Sequence, residues 1–340
     1  MTRRPRDLDE DDVRVRPGPG SRPRSRIRPP HAGATEGFVV AVDRGRFTCL
    51  VGDHDVVAVR ARELGRKAVV VGDRVALVGD VTGQTDTLSR LVRVEPRTSL
   101  LRRSADDTDP VERAIVANAN QLGIVCAVAN PEPRTRLIDR YLVAAFDGGL
   151  EPLLILTKPD LGDPADLIEN YALLDLRVIV TRRGEPGDEL RELLRDRVTV
   201  LAGHSGVGKS TLINALVPGA LRATGDVNAV TGRGRHVSTS TVVLELPGGG
   251  RVIDTPGVRS FGLAHVDLAR VVAAFPDLQP GTAECPRGCT HLPPASDIVA
   301  VDDDIARCAL DDWVAAGNAD PARLDSLRRL LSVGERPETS

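Results

Sequence analysis

A glycine-rich segment at residues 203–210 constrains the fold more than any other feature of the 340-residue chain. It reads GHSGVGKS, which fits G-x-x-x-x-G-K-[ST], and it lies between a strand-like run, VTVLA, and a helix-like run, STLINALV. In such a loop the glycines let consecutive backbone N–H groups converge on phosphates, and the following helix adds its positive N-terminal end. The segment predicts a nucleoside triphosphate site in which Lys209, one of only three lysines in the chain, reaches the β and γ phosphates. The predicted contacts are Gly203, His204, Ser205, Gly206, Val207, Gly208, Lys209, Ser210 and Thr211.

A second segment, DTPG at residues 254–257, ends the strand-like run RVIDT. An Asp at the carboxyl end of a strand beside a phosphate loop holds Mg²⁺ through water, as Walker-B acids do. We therefore expect Ser210 and Asp254 to bind Mg²⁺, and the backbone N–H of Gly257 to contact the γ-phosphate.

The segment TKPD at residues 157–160 follows the strand-like run EPLLIL and predicts which base is bound. Guanine-specific GTPases place N/T-K-x-D here, because the Asp accepts hydrogen bonds from the guanine N1–H and 2-amino groups while the Lys packs along the ring. Adenine lacks both donors, so an unpaired Asp would disfavour ATP. The predicted base contacts are Thr157, Lys158, Pro159 and Asp160. Thr in place of the commoner Asn weakens contacts around N7, and Thr181-Arg182 is a poor match to the Ser-Ala that GTPases carry after the next strand.

Residues 110–265 alternate strand-like and helix-like segments, which predicts an α/β GTPase domain with a mostly parallel sheet. The strand-like runs are LGIVCAVA, EPLLILT, RVIV, VTVLAG, TVVLEL and RVIDT. The helix-like segments are RTRLIDRYLVAAF, ADLIENYALL, GDELRELLRD and KSTLINALV. The PGGG segment at 247–250 predicts a hairpin turn between two of the strands.

Residues 36–98 contain about five short β-rich runs separated by Gly and Asp, which predicts a small closed barrel. We expect an OB-fold, with an SH3-like barrel as the alternative. Many arginines but few aromatic residues favour contacts to the backbone and shape of RNA over base stacking. Residues 1–35, acidic and then rich in Arg and Pro, are expected to be a disordered tail, either a solvated linker or an arm on nucleic-acid phosphates.

A group of metal-binding residue types lies in the remaining region, residues 266–340, which also contains helix-like segments. The group consists of Cys285, Cys289, His291 and Cys308. Three thiolates and one imidazole are the ligand set of a tetrahedral structural Zn²⁺ site. We therefore expect one structural zinc in a small C-terminal helical domain, the alternative being a cluster of reduced thiols under a loop. The other two cysteines, Cys49 and Cys126, are expected in strands as small core residues.

The order of the motifs departs from that of ordinary small GTPases, because TKPD precedes the phosphate loop and DTPG. This circular permutation, with a barrel before it and a Cys/His cluster after it, resembles the ribosome small-subunit-dependent GTPase A (RsgA) family over about residues 37–335. That family carries a G-x-H-T-T-T-like switch, and residues 234–239 read GRHVST here. The resemblance implies that a switch hydroxyl, Thr239 or its rival Ser238, binds Mg²⁺.

The resemblance also implies two catalytic residues, Lys209 and His236. In Ras-like enzymes a Gln after the D-x-x-G glycine orients the attacking water. The corresponding residue here is Val258, which has no polar group, so His236 is expected to orient the water. The family zinc pattern C-x4-C-x-H-x5-C is matched with a first gap one residue shorter and with 16 residues between His291 and Cys308.

By this resemblance the chain is expected to hydrolyse GTP to GDP and phosphate. It is also expected to bind the 30S ribosomal subunit and its 16S rRNA late in subunit maturation, and to couple subunit-stimulated hydrolysis to its release from the subunit.

The net charge of −3 confines any nucleic-acid surface to a local patch. An odd number of cysteines, the absence of a signal-peptide block and the absence of an 18-residue apolar run predict a cytoplasmic protein without membrane contact. A monomer is the default expectation. Two other classes stay open: a small-molecule kinase or P-loop ATPase, against which TKPD and GRHVST argue, and a passive RNA-binding assembly protein.

Overall fold

The computed structural model describes residues 31–64, 69–84, 87–103, 113–220, 241–255, 261, 263, 266–293 and 307–334. The contacts divide the chain into two units, Met1–Gly33 and Ala34–Ser340, and every element named below lies in the second. None of the helices in the described ranges is long and apolar enough to cross a membrane.

Five strands at the start of this unit close into a barrel. They are β1 (Thr35–Asp43), β2 (Arg46–Val51), β3 (His54–Arg60), β4 (Arg74–Val78) and β5 (Ser89–Val94). Their order is β1-β2-β3-β5-β4, with β1 pairing back onto β4 and with β3 and β5 parallel. This order is that of the OB-fold rather than of an SH3-like barrel, so the predicted OB-fold is confirmed. Val39, Cys49, Val75 and Leu91 fill the interior with no exposed surface, because alternate side chains of a strand point to the same face.

A two-stranded sheet that the sequence did not reveal follows the barrel, formed by β6 (Leu100–Arg103) and β7 (Arg113–Ala117). The turn before β4 is bound to the end of β7, since the Asn118 side-chain amide donates to the Gly72 carbonyl at 2.9 Å. Gly72 is required at this junction, because its φ is +88° and a Cβ would lie 1.9 Å from the Ala117 carbonyl oxygen. The barrel is therefore hydrogen-bonded to the segment that leads into the next sheet.

The buried carboxylate of Asp73 strengthens the same junction. It accepts hydrogen bonds from Arg97 at 2.7 and 2.9 Å and from the Val70 backbone N–H at 2.8 Å. The hydrogen bond from Arg97 to Asp73 raises the pKa of the Arg97 guanidinium. Because Arg97 lies between β5 and β6, this ion pair ties the linker to the barrel.

Six strands form the central sheet, in the order β10-β9-β8-β11-β13-β12. They are β8 (Gln121–Ala127), β9 (Glu151–Thr157), β10 (Arg177–Val180), β11 (Val198–Ala202), β12 (Val242–Glu245) and β13 (Arg251–Asp254). All neighbours are parallel except β12 and β13, which form an antiparallel hairpin across the predicted turn at 247–250. The predicted α/β fold with a mostly parallel sheet is confirmed.

Helices cover both faces of this sheet. They are α1 (Thr135–Gly148), α2 (Ala165–Ala172), α3 (Asp188–Leu194) and α4 (Lys209–Leu216). Ile124 and Cys126 of β8 point into the core shared with α1 and α2, whereas Val125 and Ala127 point into the core shared with α3 and α4. A strand buried on both faces has no polar side to show, which explains why β8 is a continuous apolar run in the sequence.

The last part of the chain packs on the α1 face of the sheet. It contains α5 (Leu268–Ala273), a 3₁₀ turn (Gln279–Glu284), α6 (Ala309–Ala315) and α7 (Pro321–Leu331). Val271 of α5 and Leu327 of α7 belong to the same apolar core as α1. Arg323 of α7 forms two hydrogen bonds to the Asp277 carboxylate, at 2.7 and 2.8 Å, which fixes α7 to the segment after α5.

Candidate nucleotide site and metal cluster

The predicted phosphate loop spans the gap between β11, which ends at Ala202, and α4, which begins at Lys209. A Cβ at Gly203 would lie 2.5 Å from the Val125 carbonyl oxygen of β8, so only glycine fits where the loop leaves the strand. Gly208 has a φ of +96°, a left-handed conformation that glycine adopts without strain. The glycines of the motif are thus explained by backbone geometry, and the loop leads into α4 as a phosphate site requires.

Lys209 and Asp254, predicted from separate motifs, are direct partners in the structure. The Lys209 ammonium lies 2.8 Å from the Asp254 carboxylate, and the two side chains are only 15% and 21% exposed. This ion pair brings the end of β13 to the phosphate loop. Ser210, the other predicted Mg²⁺ ligand, is exposed in the first turn of α4. A hydroxyl and a carboxylate beside a phosphate loop are oxygen donors of the kind that Mg²⁺ prefers.

The segment after β9 is hydrogen-bonded to the phosphate loop. The buried Thr157 hydroxyl donates to the Val207 carbonyl at 2.5 Å. The Lys158 ammonium donates to the Gly206 carbonyl at 2.8 Å and to the Asn130 carbonyl. Two of the predicted base-side residues therefore hold the loop in place through its backbone carbonyls.

A cleft of about 800 Å³ joins the base-side segment to the phosphate loop. Its walls include most of the predicted contacts: Thr157, Lys158, Asp160, Gly203, His204, Ser205, Gly206, Gly208, Lys209, Ser210 and Thr211. The Val207 side chain instead lies fully buried in the apolar core, and its carbonyl is the group that faces Thr157. Pro159 is half-buried next to the cleft wall. The predicted His236, Ser238, Thr239 and Gly257 lie outside the described residues.

The cleft has further wall residues that the sequence motifs did not assign, from the turn after β10. Thr181, Arg182, Arg183 and Gly184 all contribute to the wall. The buried Thr181 hydroxyl donates to the Leu156 carbonyl at 3.1 Å, which holds the turn against the end of β9. The sequence signal for this wall is the Thr181-Arg182 pair after the third predicted strand, although the pair departs from the Ser-Ala that GTPases carry there.

The four predicted metal ligands come together in the C-terminal region. The donor atoms of Cys285, Cys289, His291 and Cys308 all lie within 4.8 Å of one another. Cys285 Sγ is 3.6 Å from His291 Nδ1 and 3.9 Å from Cys308 Sγ, and Cys308 Sγ is 3.6 Å from His291 Nδ1. With Zn–S near 2.3 Å and Zn–N near 2.0 Å, a regular tetrahedron separates its ligands by about 3.5–3.8 Å. The cluster therefore fits a tetrahedral metal ion, and the long gap before Cys308 does not keep it away.

Short elements position these ligands. Cys285 follows the 3₁₀ turn, and Cys308 is the residue before α6. Arg328 of α7 donates to the His291 carbonyl at 3.0 Å. Burial lowers the pKa of His291, which favours the neutral imidazole that binds a metal, and burial raises the pKa of the Cys308 thiol to about 12. A buried thiol of this kind needs the charge of a bound cation to become a thiolate.

The fold and site together define a class of protein. The chain has a phosphate loop between β11 and α4, and an Asp at the end of β13. A guanine-type motif precedes both of them in the chain and lines the same cleft as the loop. These are the parts of a circularly permuted P-loop GTPase. The chain belongs to the RsgA GTPase family, whose family model matches residues 94–264.

Relatives and solved structures support this assignment. A protein named small ribosomal subunit biogenesis GTPase RsgA from Pseudomonas aeruginosa (strain LESB58) is 37% identical over 281 residues, which cover 80% of this chain and 77% of that protein. The protein of the same name from Chlorobaculum parvum is 33% identical over 311 residues, 87% of this chain and 96% of that protein. The crystal structure of YjeQ from Thermotoga maritima has a TM-score of 0.59 at 25% identity and covers 89% of this chain and 99% of its own. YloQ, a circularly permuted GTPase, has a TM-score of 0.60 at 24% identity and covers 91% and 98%, a likeness that shows the fold alone.

Proposed function

We propose that this GTPase acts in the maturation of the small ribosomal subunit, and that binding to the 30S subunit stimulates its hydrolysis of GTP. GTP binding is supported by one observation: Lys209 and the base-side residue Asp160 line the same cleft, and Lys209 is paired with Asp254. The ribosomal part is supported by relatives that are named small ribosomal subunit biogenesis GTPases.

Guanine selection follows from the chemistry of Asp160. Its exposed carboxylate can accept hydrogen bonds from the N1–H and 2-amino groups of guanine, and adenine has neither donor in the matching positions. Lys209 would leave Asp254 for the β and γ phosphates, because an ammonium gains more from phosphate oxygens than from one carboxylate. Ser210, Asp254 and Thr239 would hold Mg²⁺, which neutralises phosphate charge when it is bound.

Hydrolysis also needs an oriented water. Val258 follows the glycine of DTPG and has no group for this task, so we assign the water to His236 of the GRHVST segment. His236→Ala is expected to keep GTP binding and to lose most of the stimulated hydrolysis. Unchanged stimulated turnover in that variant would remove the assignment.

The barrel and the metal region would contact 16S rRNA. Exposed arginines on the barrel supply positive charge for phosphates, namely Arg44, Arg46, Arg62, Arg74 and Arg90. The Cys3His cluster would hold one Zn²⁺ with all four positions filled by protein, which makes the site structural rather than catalytic. We propose that the protein works in the cytoplasm as a monomer.

The testing experiment is GTP and ATP hydrolysis by the full chain, with and without isolated 30S subunits at one fixed low salt concentration. GTP-selective turnover that rises with 30S supports both parts of the proposal. GTP-selective turnover that ignores 30S would refute the ribosomal part, and equal use of ATP would refute guanine selection. Thermal protection by GDP but not by ADP checks base selection without turnover.

A further inference from the structure

A second specificity determinant in the nucleotide cleft is expected from the proposed guanine specificity, on which it rests. Asp160 can accept only from the N1–H and 2-amino side of the base. Guanine also presents two acceptors, O6 and N7, and these need hydrogen-bond donors. A donor that faces O6 and N7 would complete the recognition that Asp160 begins.

The hydroxyl groups at the base side of the cleft have no free proton for this task. A threonine hydroxyl has one proton to donate, and that of Thr157 goes to the Val207 carbonyl at 2.5 Å. The proton of the Thr181 hydroxyl goes to the Leu156 carbonyl, and the Thr181 backbone N–H donates to the same oxygen at 2.7 Å. Thr157 therefore serves the phosphate loop, and it does not replace the base contact of the commoner Asn.

The lysine at the base side is also engaged. The Lys158 ammonium donates to the Gly206 and Asn130 carbonyls, so it bridges the phosphate loop and the loop after β8. Two of its three protons are used before any nucleotide contact.

Two guanidinium groups remain, those of Arg182 and Arg183. Both side chains line the cleft and are exposed, and within the described part of the chain neither has an ion-pair or hydrogen-bond partner. Their backbones differ. The Arg182 N–H donates to the Glu185 carbonyl at 3.3 Å and the Glu185 N–H donates back at 3.0 Å, so Arg182 is fixed at both ends of its peptide unit. Arg183 and Gly184, with a φ of +77° at Gly184, form the corner of this turn.

We propose that Arg182 is a specificity-determining residue, which donates its guanidinium N–H groups to O6 and N7 of the guanine base. A guanidinium forks onto these two acceptors with matching geometry, and this pairing is the commonest specific contact of proteins with guanine in DNA. Its fixed backbone places Arg182 directly after the strand next to β9, from which Asp160 extends. The base is thus held from two sides by groups of opposite charge.

The experiment measures the dissociation constants of GDP, 7-deaza-GDP and IDP by competition with a fluorescent GDP. Four proteins are compared: the unmodified chain, Arg182→Ala, the matched control Arg183→Ala, and Asp160→Asn. 7-deaza-GDP lacks the N7 acceptor, and IDP lacks the 2-amino group that Asp160 reads.

The unmodified chain is expected to bind 7-deaza-GDP about fivefold more weakly than GDP, and Arg182→Ala is expected to bind GDP about tenfold more weakly. Arg182→Ala is expected to bind 7-deaza-GDP as well as GDP and still to bind IDP more weakly than GDP. Asp160→Asn is expected to bind IDP as well as GDP and still to bind 7-deaza-GDP more weakly than GDP. If Arg182→Ala still binds 7-deaza-GDP about fivefold more weakly than GDP, the proposal is overturned, and backbone amides of the turn are the donors to N7. The same pattern in Arg183→Ala would also overturn it. Failure of the unmodified chain to prefer GDP over ADP would instead refute the guanine specificity itself.

Discussion

Replacing Thr157 by Val tests how the base-side segment supports the phosphate loop. Val keeps the shape of Thr but has no hydroxyl, so the change removes the 2.5 Å hydrogen bond to the Val207 carbonyl together with the weaker 3.3 Å contact to the Cys126 carbonyl. Thr157 is 7% exposed, so water does not readily replace the lost donor. The Val207 carbonyl then loses this partner in a buried position.

The expected cost follows from that burial. Leaving a buried acceptor without its donor costs about 1–3 kcal/mol of the free energy of unfolding. Val207 belongs to the phosphate loop, so part of this cost appears when the loop must be ordered around phosphate. If about 1–2 kcal/mol of this cost is lost from the free energy of GDP binding, the dissociation constant of GDP rises about 5- to 30-fold.

The assay is urea unfolding with and without GDP, together with GDP titration, for Thr157→Val and for the control Thr157→Ser. Ser keeps the hydroxyl and loses one buried methyl group, worth about 0.8 kcal/mol. We expect the Ser variant to bind GDP as the unmodified chain does, with slightly lower stability. A Val variant that binds GDP normally, or a Ser variant that is the weaker binder, would refute the role assigned to the hydroxyl.

Three further predictions concern the phosphate loop, the metal cluster and the barrel junction. Lys209→Ala is expected to weaken GTP binding about 100-fold or more, because charge-assisted contacts to the β and γ phosphates are lost; titration calorimetry checks this. Cys308→Ser is expected to lower the zinc content, measured by elemental analysis, from about one ion per chain to well below one. Ser is favoured at the position before a helix, so α6 should still form in this variant. An unchanged helical circular-dichroism signal would therefore show that the metal is lost without misfolding. Asp73→Ala is expected to cost about 3–5 kcal/mol in urea unfolding, because Arg97 and a backbone N–H lose a fully buried partner; a loss below about 1 kcal/mol would contradict the junction described above.

Much of the fold was predictable because the strands of the central sheet are buried on both faces and are therefore apolar throughout. The phosphate loop was predictable for a different reason, since local backbone geometry requires its glycines, as at Gly203. The β6–β7 sheet was not predictable, because its strands are short and partly charged. Its place is set by long-range bonds, such as that from Asn118 to Gly72.

The site shows the same division between local and long-range information. The residue types at 157–160 predicted a base-side segment, yet only the structure shows that the Thr157 hydroxyl is committed to the phosphate loop. The spacing of Cys308 departs from the family pattern, and the sequence left its role open. The fold brings Cys308 Sγ within 3.9 Å of Cys285 Sγ because α6 starts beside the 3₁₀ turn.

The helix α7 connects the metal-binding region to the carboxyl end of α2. Arg328 donates to the carbonyl of the metal-site residue His291, and Arg323, one and a half turns earlier, donates to the Leu173 carbonyl after α2. A cation at the carboxyl end of a helix stabilises its last carbonyls, so α7 supports the end of α2. α2 follows Asp160 closely and leads to β10, after which Arg182 lines the cleft. The two segments assigned to guanine recognition are joined by α2 and β10, and the end of α2 is held by α7, which also contacts the metal-site residue His291. A structural metal would thus stabilise the packing of α7 against the end of α2.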